Sequence, residues 1–270
     1  MLAETIHEMM RYRGLLRMLV WRDIRVRYKQ SLLGVSWAFL VPLINASVLY
    51  AVFTFGPVHV DRSQIKGMDY LLFVLIGVVA WGLLASALAS SLESLTRNSR
   101  LVTKIYFPRE VFPLASVAGS LVDFAIACLV IVPFYVYFTL QGNVQPTWML
   151  LLLPAVLLIQ VTFVAGMALI LSMANLFYRD VKYIMTFVLQ LWFFATNVVY
   201  PIRFEQHPSL QWIATANPMI QILNAYRDIL MGDPIENVAG LLISAAIAVA
   251  VLVIGSQVFH HAEFKFAEYV

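Results

Sequence analysis

VWRDIRVRYKQSLLGVSWAFLVP, residues 20–42, changes character partway along its length. Arg22, Arg25, Arg27 and Lys29, with Arg17 just upstream, are five of the chain's eighteen Lys and Arg. Charge then stops. From Gln30 to Val60 there is no Asp, Glu, Lys or Arg, a window longer than the roughly 20 residues a spanning helix needs. A basic block abutting a long apolar run pins a first transmembrane helix with its N-terminus in the cytoplasm.

The rest of the chain has the same character. Of 270 residues, 61% are hydrophobic and 12% are charged, about half the charged share of a soluble domain. No water-soluble core can hide that much apolar surface, so the composition defines a polytopic membrane protein and excludes a soluble or nucleic-acid-binding role. The start, MLAETIHEMMRYRG, has neither an apolar h-region nor a small-residue cleavage site, which predicts that no signal peptide is removed. Cys128 is the single cysteine, so disulfides and cysteine-based metal sites within one chain are ruled out.

Upstream of the organising stretch, Leu2, Ile6, Met9, Leu16 and Val20 fall near one helical face, with Glu4, Glu8 and Arg11 near the opposite one. Arg13, Gly14 and Arg17 disturb the stripe. This pattern predicts an interfacial amphipathic helix. Downstream, charge-free windows place six spans at about 31–55, 70–92, 111–140, 147–177, 182–203 and 237–259. The division is a basic interfacial segment, 1–30, followed by one six-span all-α membrane domain, 31–270. Lys and Arg in the connections number fourteen on the side of the termini and four on the other. That asymmetry puts both termini in the cytoplasm.

Two connections depart from simple loops. RNSRLVTKIYFPREVFP, residues 97–113, is long, basic and cytoplasmic. Residues 203–236 lie on the outer side yet contain an apolar patterned run, Pro218 to Met231, too short to span. A re-entrant or interfacial hairpin fits it. No internal repeat is visible, which argues against a repeat-built secondary transporter.

No catalytic set stands out: no nucleophile elbow, no HExxH, no clustered carboxylates or histidines in the spans. His260 and His261 are adjacent and so point to different faces of a helix. A phosphate-binding P-loop needs a Gly-Lys dipeptide, and none occurs. Nucleotide-driven transport therefore requires a second chain to hydrolyse the nucleotide. Asp123 is the one carboxylate well inside a span, a functional candidate by default. Its structural role would be to pair with a basic loop residue such as Arg97 or Arg100.

Span 5 is the most informative helix. At 100° per residue, Tyr183, Thr186, Gln190, Phe193, Phe194 and Asn197 gather in one arc. Ile184, Met185, Val188, Leu191, Trp192, Ala195 and Val199 hold the opposite side. Such a polar and aromatic stripe meets protein, water or cargo rather than lipid: amides and hydroxyls suit sugar hydroxyls, and rings suit the apolar faces of pyranoses. Helix–helix packing with polar side chains as glue is the alternative. Span 1 carries a weaker stripe with Ser36 and Tyr50.

WRDIRVRYKQSLLGVSWAFLVPL, TKIYFPREVFPLASV, NLFYRDVKYIMTFVLQLWFFATNVVYP and NPMIQILNAYRDILMGD together resemble the membrane subunit of bacterial polysaccharide ABC exporters. These are the type-2 permeases that export O-antigen, capsule-like glycans and teichoic acids. The matching blocks run from about residue 17 to the C-terminal FAEYV. The resemblance implies a homodimer in the bacterial inner membrane that binds two copies of an ATP-binding subunit. ATP and magnesium would be used by that subunit, and this chain would bind no cofactor or metal. It implies a surface amphipathic helix, a cytoplasmic coupling helix that would use Arg97, Arg100, Lys104, Tyr106 and Arg109, and re-entrant outer gate helices that would include Asn217, Pro218 and Arg227. It also implies a channel lined by spans 1 and 5. The cargo would be an undecaprenyl-diphosphate-linked glycan whose pyrophosphate Arg22, Arg25, Arg27 and Lys29 attract. Family members often carry Ser-Pro where this chain has Thr196 and Asn197, which removes a built-in kink and would leave Asn197 facing the channel.

Two other classes compete. An ion-coupled transporter or channel needs more intramembrane ionisable groups than Asp123. A membrane enzyme acting on lipid-linked sugars needs charged groups gathered in a large outer loop.

Overall fold

A computed structural model describes residues 12–29, 34–56, 68–99, 108–201 and 215–263. Within them the chain is helical throughout. The helices are α1 (Arg13–Tyr28), α2 (Ser36–Phe55), α3 (Tyr70–Leu92), the single turn α4 (Ser94–Arg97) and α5 (Val111–Leu140). They continue with α6 (Leu153–Phe177), entered through a 3-10 turn at Trp148–Leu152, then α7 (Val181–Ala195), α8 (Pro218–Met231) and α9 (Val238–Glu263). Five of these are long and apolar enough to cross a membrane: α2, α3, α5, α6 with its 3-10 turn, and α9. Their limits fall close to the charge-free windows, because Asp69 and Glu93 flank α3, and Arg109 and Glu110 precede α5.

The fifth expected span is the exception. α7 ends at Ala195 after 15 residues, about 22 Å at 1.5 Å per residue, short of a hydrocarbon core of roughly 30 Å. Thr196 turns extended, with φ −112° and ψ 147°. The local sequence explains this. Val198 and Val199 are β-branched, and Pro201 biases Tyr200 away from the α region. The helix thus breaks at Thr196 without a proline at that position.

α3 is the axis of the bundle, with 78% of its most apolar window buried against 6% for α2. α2, α5 and α6 all pack on α3; α5 also touches α2 and α6, and α7 leans on α3 and α6. α6 and α9 form the tightest pair, backbone against backbone. A Cβ on Gly166 would lie 2.5 Å from the Leu252 nitrogen, and one on Gly255 would lie 2.5 Å from the Gly166 oxygen. Small residues at such a crossing are how helices associate inside lipid.

α1 does not stand apart from the bundle. Leu19 is buried with Leu95, Val111, Phe112, Ala115, Leu169, Met173 and Phe259 in a second, smaller core at the basic end. α5 has 30 residues, about 45 Å, so it exceeds the hydrocarbon thickness by about ten residues. Its first turns, with Val111 and Phe112, lie in this second core. Elsewhere on α1, Met18, Trp21 and Val26 are exposed together with Arg17 and Arg25, a mixture suited to a membrane interface. The expected helical residues before Tyr12 lie outside the described part of the chain.

Candidate functional site

α7 presents two unlike faces. Met185 and Leu189 are buried, and Trp192 and Phe193 pack edge-on against Trp81 of α3, with ring centres 5.8 and 5.7 Å away. The other face carries Tyr183 (71% exposed), Phe187 (61%) and Phe194 (48%), with Thr186 and Gln190 exposed between them. Ile184, Val188, Leu191 and Ala195 of the expected apolar side are exposed beside them and are not packed into the bundle. Four of the six residues of the sequence-derived stripe therefore stand together, joined by Phe187. Phe193 lies on the flank turned towards α3. Asn197 lies beyond the helix end, where 100° steps no longer apply, and is 5% exposed. It faces the interior, where its amide donates to Asn224 Oδ1. α2 likewise turns Ser36, Trp37, Ile44, Val48 and Val52 outwards. Tyr50 turns inwards, 5.9 Å from the Tyr70 ring.

At the end where α7 stops, α8 is knit to the turn that follows it. Asn217 caps α8 by accepting from Met219 N, and its amide donates to Thr196 Oγ1 at 2.9 Å. Pro218 opens the helix at its first position, where the missing N–H costs nothing. Arg227, 4% exposed, donates to the carbonyls of Asn197 (2.8 Å), Val198 (3.0 Å) and Phe73 (3.2 Å). Tyr70 donates to the Val199 carbonyl at 2.9 Å. Deeper in, Tyr226 donates to Gln160, which donates to the Ala80 carbonyl at 2.7 Å. This network keeps the backbone that leaves α7 satisfied where water is excluded, as irregular structure at membrane depth demands. Neither Gln160 nor Tyr226 was singled out by sequence. An amide in the middle of the apolar fourth span was the available signal.

At the basic end, the four cations of residues 22–29 do not act alike. Arg27 forms an ion pair with Asp123, and Tyr28 donates its hydroxyl to the same carboxylate. Among the described residues the partners of Asp123 are thus Arg27 and Tyr28, while Arg97 pairs with Glu93 and Arg100 lies outside the described part: α1 runs alongside α5, so a residue distant in sequence reaches Asp123. Burial raises the Tyr28 phenol above its ordinary value, so it stays a donor. Arg22 pairs with Asp23 at 2.8 Å, and Arg25 lies over Trp21, 5.2 Å from the ring centre. Arg25 and Lys29 remain exposed.

Where α3 ends, Glu93 gathers two cations: Arg97 at 3.1 Å and Lys182 of α7. Its hydrogen bonds, first to Lys182 and then to Arg97, hold its carboxyl below the usual carboxylate range. Arg109 sits half-buried in the turn before α5. Arg100, Lys104 and Tyr106 lie outside the described residues.

A bundle of membrane-length helices, with a face on α7 that no described part of the same chain covers, defines an integral membrane protein. The chain belongs to the ABC-2 type transporter family, which matches residues 14–231. It is a permease subunit and a multi-pass protein of the inner membrane, not an enzyme. It is similar to an O-antigen export system permease protein of Myxococcus xanthus, 32% identical over 99% of each chain. Two proteins of the same description from Klebsiella pneumoniae are each 30% identical over 92% of this chain and 91% of their own.

Proposed function

We propose that this chain is the permease of an ATP-driven exporter that moves undecaprenyl-diphosphate-linked polysaccharide of the O-antigen class from the cytoplasmic to the outer face of the inner membrane. The outward face of α7 carries this reading. Tyr183, Thr186, Gln190 and Phe194 offer hydroxyls, an amide and rings to a sugar chain, on a helix that packs only its other face. The names of the full-length relatives point to the same cargo class. A teichoic-acid-like polymer shares the carrier lipid and is the neighbouring possibility.

In this arrangement two copies of the chain meet across α2 and α7, and two copies of a separate ATP-binding subunit use ATP and magnesium. α7 and the turn after it together make the fifth of six crossings, with both termini cytoplasmic. Residues 97–109 dock on the ATP-binding subunit, while Asn217, Pro218 and Arg227 belong to a re-entrant outer gate. Arg25 and Lys29 are the better placed of the four cations to draw the pyrophosphate, since Arg27 and Arg22 already face carboxylates. ATP binding closes the partner subunits, the cytoplasmic segment follows, and the two α2–α7 faces separate to admit cargo. Ion coupling fares worse, because Asp123 is paired with Arg27 and Tyr28.

The test is purification in gentle detergent from native expression levels, with mass spectrometry of co-eluting proteins, beside a deletion strain. The expected result is a stoichiometric P-loop subunit with ATPase activity and a loss of surface polysaccharide on deletion. A chain that purifies alone without ATPase, or a deletion that leaves surface polysaccharide intact, sinks the reading.

A further inference from the structure

α7 is anchored unequally at its two ends. Beyond Ala195, Asn217, Asn224 and Arg227 hold the following turn through hydrogen bonds to Thr196, Asn197 and Val198. Apart from the partly buried Asn224 the donors and acceptors there are buried, and Arg227 makes two bonds to main-chain carbonyls of the turn and a third to that of Phe73. The start of α7 is held differently: it follows α6 through the short turn 178–180, and Val181 packs against the main core. Lys182, its second residue, reaches Glu93, and the side chains of the pair are 48% and 32% exposed. Along the helix Met185 and Leu189 are buried, with Val181, Trp192 and Phe193 partly so and packed against the main core. The buried polar side-chain bonds of α7 and its following turn thus lie at one end, while the side-chain tie at the other is a solvated ion pair.

Glu93 also occupies a particular place. It follows the last residue of α3 and precedes α4, whose Leu95 is buried in the second core and whose Arg97 shares the Glu93 carboxylate. The chain then runs directly into the basic segment after Ser99. Among the described residues, Glu93–Lys182 is the ion pair that joins this segment to α7.

Building on the proposed exporter reading, we propose that the Glu93–Lys182 pair is the coupling contact through which movement of the cytoplasmic segment swings the lower end of α7 about its anchored outer end. Glu93 and Lys182 are positioning residues: they touch neither cargo nor nucleotide, but set where the exposed face of α7 stands in each state. Lys182 is adjacent to Tyr183 of that face, its Nζ 5.9 Å from the ring centre, so the lever acts at the start of the stripe.

The experiment uses the full chain with its ATP-binding subunit. Lys182→Glu, Glu93→Lys and the double exchange are compared for co-purification, basal ATP hydrolysis and surface polysaccharide. A cysteine at Ile184, on an exposed flank of α7, is placed in a Cys128→Ala background and probed with a charged maleimide, with and without ATP. An exposed pair biases a two-state equilibrium by up to about fivefold, and reversal adds repulsion. Each single reversal should therefore cut export per ATP by about tenfold and abolish the ATP-dependent change in labelling. Co-purification and basal hydrolysis should persist, and the double exchange should recover export. Reversals that export like the parent, an assembled double exchange that does not recover, or loss of co-purification in the single reversals would each overturn the assignment. If the parent chain recovers no ATP-binding subunit, the exporter reading itself falls. If the parent hydrolyses and exports while the reversals are indifferent, only the role of this pair falls.

Discussion

Arg227 lies against the ring of Phe73, its guanidinium carbon 3.5 Å from the ring centre, while its nitrogens reach three main-chain carbonyls. A cation in an apolar setting is costly unless such partners surround it. Here the partners are the backbone of the turn after α7 and the carbonyl of Phe73 itself. The planar fork of arginine fits several acceptors at once, whereas an ammonium is a single point on a flexible stem.

Arg227→Lys should therefore destabilise the protein by about 2–3 kcal/mol, the scale of hydrogen bonds to a charged group. The check is the midpoint of thermal unfolding in detergent, with limited proteolysis near residues 196–200 as a local readout. An unchanged midpoint and unchanged cleavage would show that the carbonyls are held by other means.

The same turn sets a demand on α3. A Cβ added to Gly77 would sit 2.4 Å from the Val198 oxygen and 2.7 Å from an Arg227 nitrogen. Gly82, five residues on, has open space around it. Gly77→Ala should cost about 1–3 kcal/mol through overpacking and lower the yield of folded protein, whereas Gly82→Ala should be neutral or slightly stabilising. Equal behaviour of the two variants in a thermal-shift series contradicts the close approach.

Much of this architecture was legible in the sequence, for definite reasons. The helix limits were marked by charges that cannot enter lipid, such as Asp69, Glu93 and Arg109. The exposed face of α7 followed from helical spacing as far as Phe194. It failed at Asn197 because a period extrapolates only while the helix lasts, and β-branched residues before Pro201 end it. The partner of Asp123 was hidden because nothing local shows that α1 runs beside α5. The need for a glycine at position 77 was equally hidden, since it arises from a turn more than a hundred residues away. Periodicity reports faces; it does not report which distant backbone arrives against them.

Asp123 and Arg27 form an ion pair that is only partly exposed, at 18% and 35% of their side chains. Removing one partner strands the other charge, so Asp123→Asn and Arg27→Gln should each destabilise the docking of α1 on α5. The double variant should be better than the sum of the two, with a coupling energy of about 1–3 kcal/mol. A double-mutant cycle on thermal stability measures this. Additive effects would mean the pair is not a unit, and would reopen an independent role for the Asp123 carboxylate.

The exposed and inward residues of α7 and its following turn should separate by phenotype. Gln190 and Phe194 are exposed on the outward face, so truncating Gln190 removes no side-chain hydrogen bond within the described bundle, and truncating Phe194 gives up an edge-on contact with the Phe193 ring at the bundle's surface. Gln190→Ala and Phe194→Ala should leave thermal stability within about 0.5 kcal/mol, as for ordinary surface changes, yet reduce surface polysaccharide. Asn197 behaves oppositely. It is buried and donates to Asn224, so Asn197→Ala should destabilise by about 1–3 kcal/mol through the amide left unpaired. Any loss of export in that variant should follow its loss of folded protein. Phe193 lies between the two cases, because it packs on Trp81 from the flank of the outward face, and Phe193→Ala should lower both stability and export. The decisive measurement is export per amount of folded permease in the membrane across the four variants. A drop for Gln190→Ala and Phe194→Ala, smaller for Phe193→Ala and absent for Asn197→Ala on that scale, places cargo contact on the outward face. A normal ratio for Gln190→Ala and Phe194→Ala would leave that face to helix packing between subunits.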